Sequence, residues 1–336
     1  MRLRGNRSRV LVFALFILFI LPGRASAQAP YDSLITFGDS LSDTGNVFIL
    51  SSALGIDPAP PPSISPHQTY FAGRFSNGPV AFEYLWQMIS GKAPGSPGAL
   101  RPFLASPLHL TAAVDFSFGG TGTEHLTRTP GGFFAPGLKG QIELYRAVLR
   151  GRRPSRRTLF AIVTGANDYR DDAFHQPLPP TEVVNNIREA VETLYEIGAR
   201  NVAVLNLPDL GLLPANQENP VAATQLSIFH NTLLTNALNQ LAAELPRLNL
   251  VQVDLFQVPG RLPPEMNRMV PALDVLIPPD TLPGYFMSTC LFINPVLCTD
   301  VPTFDVGILF LFWDVVHPTT AAHRVLGEYV FERVSD

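Results

Sequence analysis

Five short apolar runs, separated by polar and glycine-rich segments, are spread along the chain. Each is five or six residues long and rich in β-branched, aromatic or small apolar residues, as buried strands are. We therefore predict strands at Ser33–Phe37, Ala113–Phe118, Leu159–Thr164, Asn201–Leu205 and Leu248–Val253.

Helical patterns alternate with these runs. The clearest spans Glu182–Ile197, where apolar residues recur every three or four positions and Gly198 follows as a stop signal. Further helices are predicted at Val80–Ile89, Leu138–Leu149, Ala222–Leu245 and Thr320–Val334. Strands that alternate with helices form a parallel sheet with helices on both faces. The predicted fold is therefore α/β, a three-layer α/β/α sandwich around a five-stranded parallel sheet.

Two long segments, residues 51–78 and 257–313, have little periodicity. The first contains the run "DPAPPP", and the second is proline-rich at first and then strongly apolar. Long irregular segments in compact domains are usually binding loops or lids. No linker long enough to separate two domains is visible, so we predict a single domain over residues 28–336.

The first 27 residues have the pattern of an export signal. Several arginines precede the apolar run Val10–Leu21, and Ala25-Ser26-Ala27 is a small-residue cleavage site. Twelve apolar residues are short for a membrane span, and an uncleaved anchor is the alternative. We predict a signal peptide at 1–27, cleavage near Ala27, and a secreted or periplasmic mature protein.

Charge and cysteine usage narrow the range of partners and cofactors. Residues 1–27 hold five arginines and no acidic residue, so their removal takes the formal charge from −4 to −9. A chain of that charge is not expected to bind nucleic acid. Cys290 and Cys298 lie close together in an exported chain, and we predict a disulfide between them. No histidine lies at ligand spacing from either cysteine, so no metal site is expected.

Polar and glycine residues follow three of the predicted strands. The first strand runs into Gly38-Asp39-Ser40, the second into Gly119-Gly120, and the third into Gly165-Ala166-Asn167-Asp168. In a doubly wound sheet, ligands bind beyond the carboxyl ends of the strands. The sequence therefore places a hydroxyl, a glycine-rich turn and an amide at the same edge of the sheet.

A serine becomes a nucleophile when a histidine, held by a carboxylate, takes its proton. The C-terminal stretch "FWDVVHPTTAAH" supplies Asp314 and His317, just before a predicted helix. At this spacing the carboxylate can reach Nδ1 of the imidazole and leave Nε2 to face Ser40. The negative charge that develops on a carbonyl oxygen requires preorganised donors. The backbone N–H groups of Ser40 and Gly120 and the side-chain amide of Asn167 are the candidates.

Each of these residues also has a purely structural interpretation. Ser40 could cap a helix, and Asn167 and Gly119-Gly120 could form turns without a ligand. Asp314 and His317 could be a structural pair at a helix start. These interpretations leave the shared location of the residues unexplained, so we interpret the four polar residues and the glycine turn as one active site.

Four blocks, "FGDSLSDTGN", "FSFGGTGT", "GANDY" and "DVVHP", follow one another along the chain. In residue type and order they resemble the sequence blocks of the GDSL-type esterases and lipases of the SGNH hydrolase superfamily. The stretch "GRFSNGPVAFEYL" is similar to one found in the longer members. The resemblance extends from Leu34 to Glu332 and implies a flavodoxin-like fold. It also implies a nucleophile, an oxyanion hole and a histidine–aspartate pair formed by Ser40, Gly120, Asn167, Asp314 and His317.

The resemblance implies a secreted serine ester hydrolase of the carboxylesterase or lipase type that forms an acyl-enzyme on Ser40 and uses no cofactor. The apolar residues between Phe286 and Phe312 form either an acyl pocket or lid, or ordinary core. A pocket favours small-molecule or lipid acyl esters as substrates. The alternatives are an acyltransferase that uses the same acyl-enzyme, a carbohydrate acetylesterase, and a non-catalytic binding protein on a hydrolase scaffold. No sequence feature indicates an oligomer.

Three charged features lie outside the predicted site. The run "RGRRPSRR", Arg150–Arg157, precedes a strand and is expected at the opposite end of the sheet, as a solvated loop. Transient contact with an anionic membrane surface is its alternative role. Asp168, Asp171 and Asp172 lack the spacing of a calcium loop and are expected to be solvated. His323 is expected on the surface of the C-terminal helix.

Overall fold

The structure, a computed structural model, describes residues 30–65, 68–107, 110–172, 176–262, 266 and 310–336. The predicted signal peptide and the predicted Cys290–Cys298 disulfide lie outside these residues, and both stay predictions. The predicted acyl pocket or lid between Phe286 and Phe312 also lies outside them, apart from its last three residues, 310–312.

A parallel sheet forms the centre of the molecule. It contains six strands in the order β2-β3-β1-β6-β7-β8, and every neighbouring pair is parallel. The strands are β1 (Ser33–Gly38), β2 (Arg101–Pro102), β3 (Ala113–Asp115), β6 (Thr158–Val163), β7 (Asn201–Leu205) and β8 (Asn249–Val253). A separate antiparallel pair consists of β4 (Leu126–Arg128) and β5 (Phe134–Pro136).

The prediction of five strands is wrong, because the sheet has six. The additional strand, β2, has only two residues and contains a proline at the edge of the sheet, where proline is tolerated. So short a strand leaves no periodic signal. The second predicted strand is shorter than expected and ends at Asp115. The N–H groups of Phe116 and Phe118 nevertheless continue to bond the carbonyls of Thr36 and Gly38, at 2.8 and 3.1 Å.

Alternate side chains of the sheet enter two separate cores. On β1, Ile35 and Phe37 pack into one core and Leu34 into the other. Helices α3 (Leu138–Leu149), α4 (Pro180–Ile197) and α5 (Pro220–Glu244) cover the first core, and α2 (Ala81–Ser90) and α6 (Thr320–Ser335) cover the second. The α/β/α sandwich is confirmed, and each predicted helix begins and ends within two residues of its predicted bounds.

Two local elements, a helix and a hairpin, were not predicted. Helix α1 (Asn46–Ala53) extends into the segment that was expected to be irregular. The β4–β5 hairpin, also not predicted, brings Pro130 close to Gly120. None of the helices in the described ranges is long and apolar enough to cross a membrane.

The expectation that His323 lies on the surface of the last helix is wrong. Its side chain is fully buried, on the stripe of α6 that also contains Leu326 and Val330. The i, i+3, i+7 spacing of these three residues is a signal in the sequence that would have placed it there. Burial, together with the nearby charge of His317, lowers the pKa of His323 to about 3, so its ring is neutral.

Candidate active site

The turn that carries Ser40 begins where β1 comes closest to β6. Gly38 has a φ of +150°, and a Cβ at this position would lie 2.0 Å from the carbonyl oxygen of Val163. Glycine is therefore required there. The next helix begins only at Asn46, so Ser40 does not cap it. The Ser40 hydroxyl instead contacts the imidazole of His317.

Ser40, His317 and Asp314 form a continuous chain of hydrogen bonds. Nε2 of His317 lies 2.9 Å from Oγ of Ser40, and Nδ1 lies 2.6 Å from Oδ2 of Asp314. The other carboxylate oxygen, Oδ1, accepts the N–H groups of Val316 and His317 at 2.8 and 2.7 Å. The ring of Phe75 lies against the imidazole, with 5.1 Å between the ring centroids. Packing and backbone contacts thus hold the carboxylate and the imidazole in one orientation.

Tyr70 belongs to this cluster, although the sequence analysis did not find it. Its hydroxyl donates to Oδ2 of Asp314 at 2.5 Å, the same oxygen that faces Nδ1 of His317. Burial, followed by the charge of Asp314, raises the pKa of Tyr70 well above its usual value, so the hydroxyl keeps its proton. Tyr70 lies in the aperiodic segment 51–78, where no pattern distinguishes it.

Asp314 is ionised despite being buried. Burial alone raises the pKa of its carboxyl group, but the charge of His317 and the hydrogen bonds from His317, Tyr70 and the N–H of Val316 act in the opposite direction. Together these contacts hold the pKa of Asp314 below its usual value. The carboxylate is therefore available to orient an imidazole and to stabilise its protonated form.

Three hydrogen-bond donors lie around the same cavity as Ser40. Ser40, Gly120 and Asn167 all line this cavity, and their candidate donors are the first two backbone N–H groups and the Asn167 side-chain amide. Within the described ranges, neither backbone N–H has an acceptor. Asn167 lies in the short 3-10 helix Ala166–Tyr169 after β6, and its Nδ2 donates to the carbonyl of Thr121 at 3.1 Å. An amide nitrogen has two N–H groups, so a second donor of Asn167 remains.

Asp43 ties the serine turn to the glycine turn. Its carboxylate accepts the N–H groups of Gly45, Asn46 and Val47, and across the gap that of Gly119 at 2.8 Å. Burial, followed by repulsion from Asp115, raises the pKa of this carboxyl group. Asp43 belongs to the block "FGDSLSDTGN", but no pattern in the sequence indicates its contact with Gly119.

Gln141 on α3 holds the end of β1. Its Oε1 accepts the N–H of Gly38, and its Nε2 donates to the carbonyl of the same residue, both at 2.8 Å. The side chain is fully buried. A glutamine on the apolar stripe of Leu138, Ile142 and Tyr145 is the signal by which the sequence could have revealed this contact.

The expectation that Asp168 is solvated is wrong. Its side chain is fully buried, and its Oδ1 accepts both the N–H and the hydroxyl of Thr123, at 2.9 and 2.8 Å. Asp168 thereby links the turn that carries Asn167 to the loop that follows Gly120. Asp171 and Asp172 are exposed, as expected.

A cavity of about 590 Å³ lies over Ser40, and His317, Gly120 and Asn167 line it. Most of its wall is apolar and comes from Leu210, Leu213, Leu226, Val258 and Phe312. Asp39 also lines the cavity. Burial raises the pKa of Asp39 to about 7, although the hydrogen bond from the N–H of Leu41 and the charge of His317 act in the opposite direction. In the part of the chain that the structure describes, no group of three His, Cys, Asp or Glu side chains is placed to hold a metal ion.

The profile of the family described as GDSL-like lipase/acylhydrolase matches residues 34–330. The chain belongs to this family. The resemblance seen in the sequence is thereby confirmed, and the chain is a serine ester hydrolase of the GDSL type.

Several known proteins are similar to this GDSL hydrolase. A phosphatidylcholine-sterol acyltransferase of Aeromonas hydrophila is 26% identical over 339 residues, 90% of this chain and 90% of the relative. A GDSL esterase/lipase of Arabidopsis thaliana is 25% identical over 360 residues, 97% of this chain and 96% of the relative. The solved structure of a lipase/acylhydrolase from Enterococcus faecalis has a TM-score of 0.38 and 14% identity, covering 90% of this chain and 95% of that one.

Proposed function

We propose that this GDSL hydrolase cleaves acyl esters through a covalent acyl-enzyme on Ser40. The observation that carries the proposal is the hydrogen-bonded chain from Oγ of Ser40 through His317 to Asp314, with distances of 2.9 and 2.6 Å. It is the arrangement in which a histidine can take the proton of a serine hydroxyl. Ser40, at one end of this series of hydrogen bonds, lines the cavity, where a substrate carbonyl can reach its hydroxyl.

The proposed reaction has two steps. Nε2 of His317 takes the proton of Ser40 as Oγ attacks the ester carbonyl, and the same proton then passes to the leaving alcohol. Water next attacks the acyl-enzyme, with His317 as the base, and releases the carboxylic acid and free Ser40. In both steps the carbonyl oxygen becomes an oxyanion. The N–H groups of Ser40 and Gly120 and the amide of Asn167 are the donors proposed for it.

Tyr70 is proposed to position Asp314 in this reaction. Its hydroxyl donates to Oδ2 at 2.5 Å and so supports the ionised carboxylate that orients His317. Tyr70 does not line the cavity, and its effect on substrate would pass through Asp314 and His317.

Replacing Tyr70 with phenylalanine tests this role through the pH profile. The change removes a donor that holds the pKa of Asp314 down, so Asp314 takes up a proton at higher pH. We expect the acidic limb of kcat/KM to move to higher pH and kcat to fall by about tenfold, because a hydrogen bond to a charged group contributes roughly 1.5–3 kcal/mol. Steady-state kinetics between pH 3 and 9 would measure both effects, because an aspartate carboxyl normally titrates at about pH 3.9.

Tyr31→Phe is the matched control. Tyr31 is also a buried tyrosine, and its hydroxyl donates to the carbonyl of Val334 at 2.9 Å, away from the cavity. Both variants are expected to lose some stability, but only Tyr70→Phe should move the acidic limb. Equal pH profiles for the two variants would mean that Tyr70 has a structural role alone.

The substrate class proposed is acyl esters with medium-length or longer chains, lipids included. The largely apolar wall of the cavity over Ser40 supports this choice, since an acyl chain gains from leaving water. The name of the Aeromonas hydrophila relative, a phosphatidylcholine-sterol acyltransferase, is consistent with a lipid acyl donor.

Comparison of octanoyl and acetyl esters of one alcohol tests the substrate class. We expect kcat/KM to be at least tenfold higher for the octanoyl ester, because each buried CH₂ group contributes about 0.8 kcal/mol. Both esters should be assayed below the concentration at which they aggregate. A preference for the acetyl ester would contradict the lipid substrate and favour a carbohydrate acetylesterase.

Acyl transfer is the second candidate function, and the printed name of the same relative is what favours it. The acyl-enzyme would be identical, with an alcohol in place of water as the second nucleophile. Adding a long-chain alcohol to the octanoyl assay separates the two, because a transferase forms the new ester and a hydrolase forms octanoic acid.

A further inference from the structure

Helix α5 exposes large apolar side chains to solvent. Val221, Ile228 and Phe229 are 66%, 51% and 53% exposed. On a helix with 3.6 residues per turn, the first two lie about 20° apart and the third about 80° from Val221. The three side chains therefore lie on one side of the helix, with the exposed, uncharged Gln225 between them, and we call this surface the α5 strip.

The α5 strip is continuous with the wall of the cavity over Ser40. Ala223 and Leu226, in the same turns of α5, line that cavity. Ala222 is exposed and lies between them and the strip on the helix surface. An apolar path thus leads around the helix from solvent to the cavity.

The helix that carries the strip is almost free of charge. From Pro220 to Ala243 it contains no Asp, Glu, Lys or Arg, and Glu244 is its last residue. A surface without charge has no electrostatic preference for an anionic partner and gains free energy only by leaving water.

We propose that the α5 strip is the surface by which this enzyme binds a neutral or zwitterionic lipid aggregate, with the cavity facing the lipid. The proposal rests on the proposed function only in that the lipid contains the ester substrate. A second copy of the chain fits less well, because a stable interface buries roughly 800 Å² on each partner and the strip consists of three side chains of one helix. The arginine-rich loop Arg150–Arg157 precedes β6 and lies at the other end of the sheet, so it would turn the cavity away from a membrane.

Binding to vesicles of diether phosphatidylcholine tests the proposal, since ether lipids cannot be hydrolysed and binding is measured apart from catalysis. The proteins compared are the mature wild type, the triple variant Val221→Gln, Ile228→Gln, Phe229→Gln, and the control Leu54→Gln, Ile64→Gln. The control also removes exposed apolar side chains, 57% and 64% exposed, but from positions that do not line the cavity. Glutamine is a good helix former, so α5 should keep its structure.

We expect the triple variant to bind these vesicles at least tenfold more weakly than the wild type, and the control to bind within twofold of it. Wild-type binding should be nearly the same in low salt and in about 1 M salt, where the screening length falls to roughly 3 Å. Turnover of a soluble, monomeric octanoyl ester should stay within twofold for both variants, because none of the changed residues lines the cavity.

Other results would overturn the proposal in distinguishable ways. Unchanged vesicle binding by the triple variant would exclude the α5 strip. Binding that requires anionic lipid and disappears in salt would assign the contact to the arginine-rich loop. A wild-type dimer in light scattering that the triple variant dissociates would make the strip a self-association surface. Vesicle binding without turnover of any ester would contradict the proposed function and leave the binding surface standing.

Discussion

Replacing Ser40 with alanine is expected to lower kcat for an octanoyl ester by at least about four orders of magnitude, since loss of the nucleophile disables the whole hydrogen-bonded unit. It should also abolish covalent labelling by a fluorophosphonate probe. Such a probe reacts with a serine whose proton is taken by a base, and Oγ of Ser40 is 2.9 Å from Nε2 of His317. Mass spectrometry of the labelled wild type should place the adduct on Ser40.

Ser42→Ala is the control for this experiment. Ser42 is also buried and lies two residues along the same turn, but its hydroxyl donates to the carbonyl of Asp39 and to Oγ of Ser117. This variant should keep the probe adduct on Ser40. An adduct on any other serine, or a folded wild type that the probe does not label, would favour a non-catalytic binding protein.

Replacing Asn167 with alanine is expected to lower kcat by about 100- to 1,000-fold with little change in KM. The amide is proposed to bind the oxyanion and not the ester, and loss of one such donor raises the barrier by about 2.7–4 kcal/mol. The reduced rate should therefore appear in kcat and kcat/KM to the same extent. Steady-state kinetics with the octanoyl ester, above and below KM, would measure both parameters.

Asn186→Ala separates this effect from a loosened turn. The amide of Asn186 is buried and donates to Oγ1 of Thr123 at 2.9 Å, so it supports the glycine turn without lining the cavity. Its loss should lower the melting temperature and leave kcat within tenfold. If both asparagine variants reduced kcat equally, the amide of Asn167 would be a structural contact and the oxyanion hole would consist of backbone N–H groups.

Local sequence was sufficient for most of the helices and strands, although it missed α1 and the β4–β5 hairpin. The bounds of α3 and β7 agree with those read from the apolar pattern, because each depends on which face of a short segment is buried. The rule that parallel strands end at one edge brought Ser40, Gly120 and Asn167 to a common region without any knowledge of their contacts. The two-residue strand β2 could not be predicted from the sequence, since it is defined only by its pairing with β3.

Polar contacts inside the molecule were harder to foresee. Asp168 was expected in solvent because acidic residues usually are, yet the N–H and hydroxyl of Thr123 compensate its burial. Tyr70 is separated from Asp314 by 244 positions and lies in a segment without periodicity. The pattern of neighbouring residues does not predict a hydrogen bond between positions so far apart in the sequence.

Apolar patterning along the chain was enough to predict the α/β layers and the order in which the four sequence blocks meet the edge of the sheet. Both follow from the burial of one face of each short segment and from the rule that parallel strands end at the same edge of a sheet. Three features depend on packing in three dimensions: Tyr70 shares an oxygen of Asp314 with His317, Gln141 holds Gly38, and an uncharged strip of α5 adjoins the cavity. The position that requires glycine at the end of β1 is also set by a distant residue, Val163. Those contacts arise when distant segments pack together, and a sequence of hydrophobic and polar positions does not specify which side chains then meet.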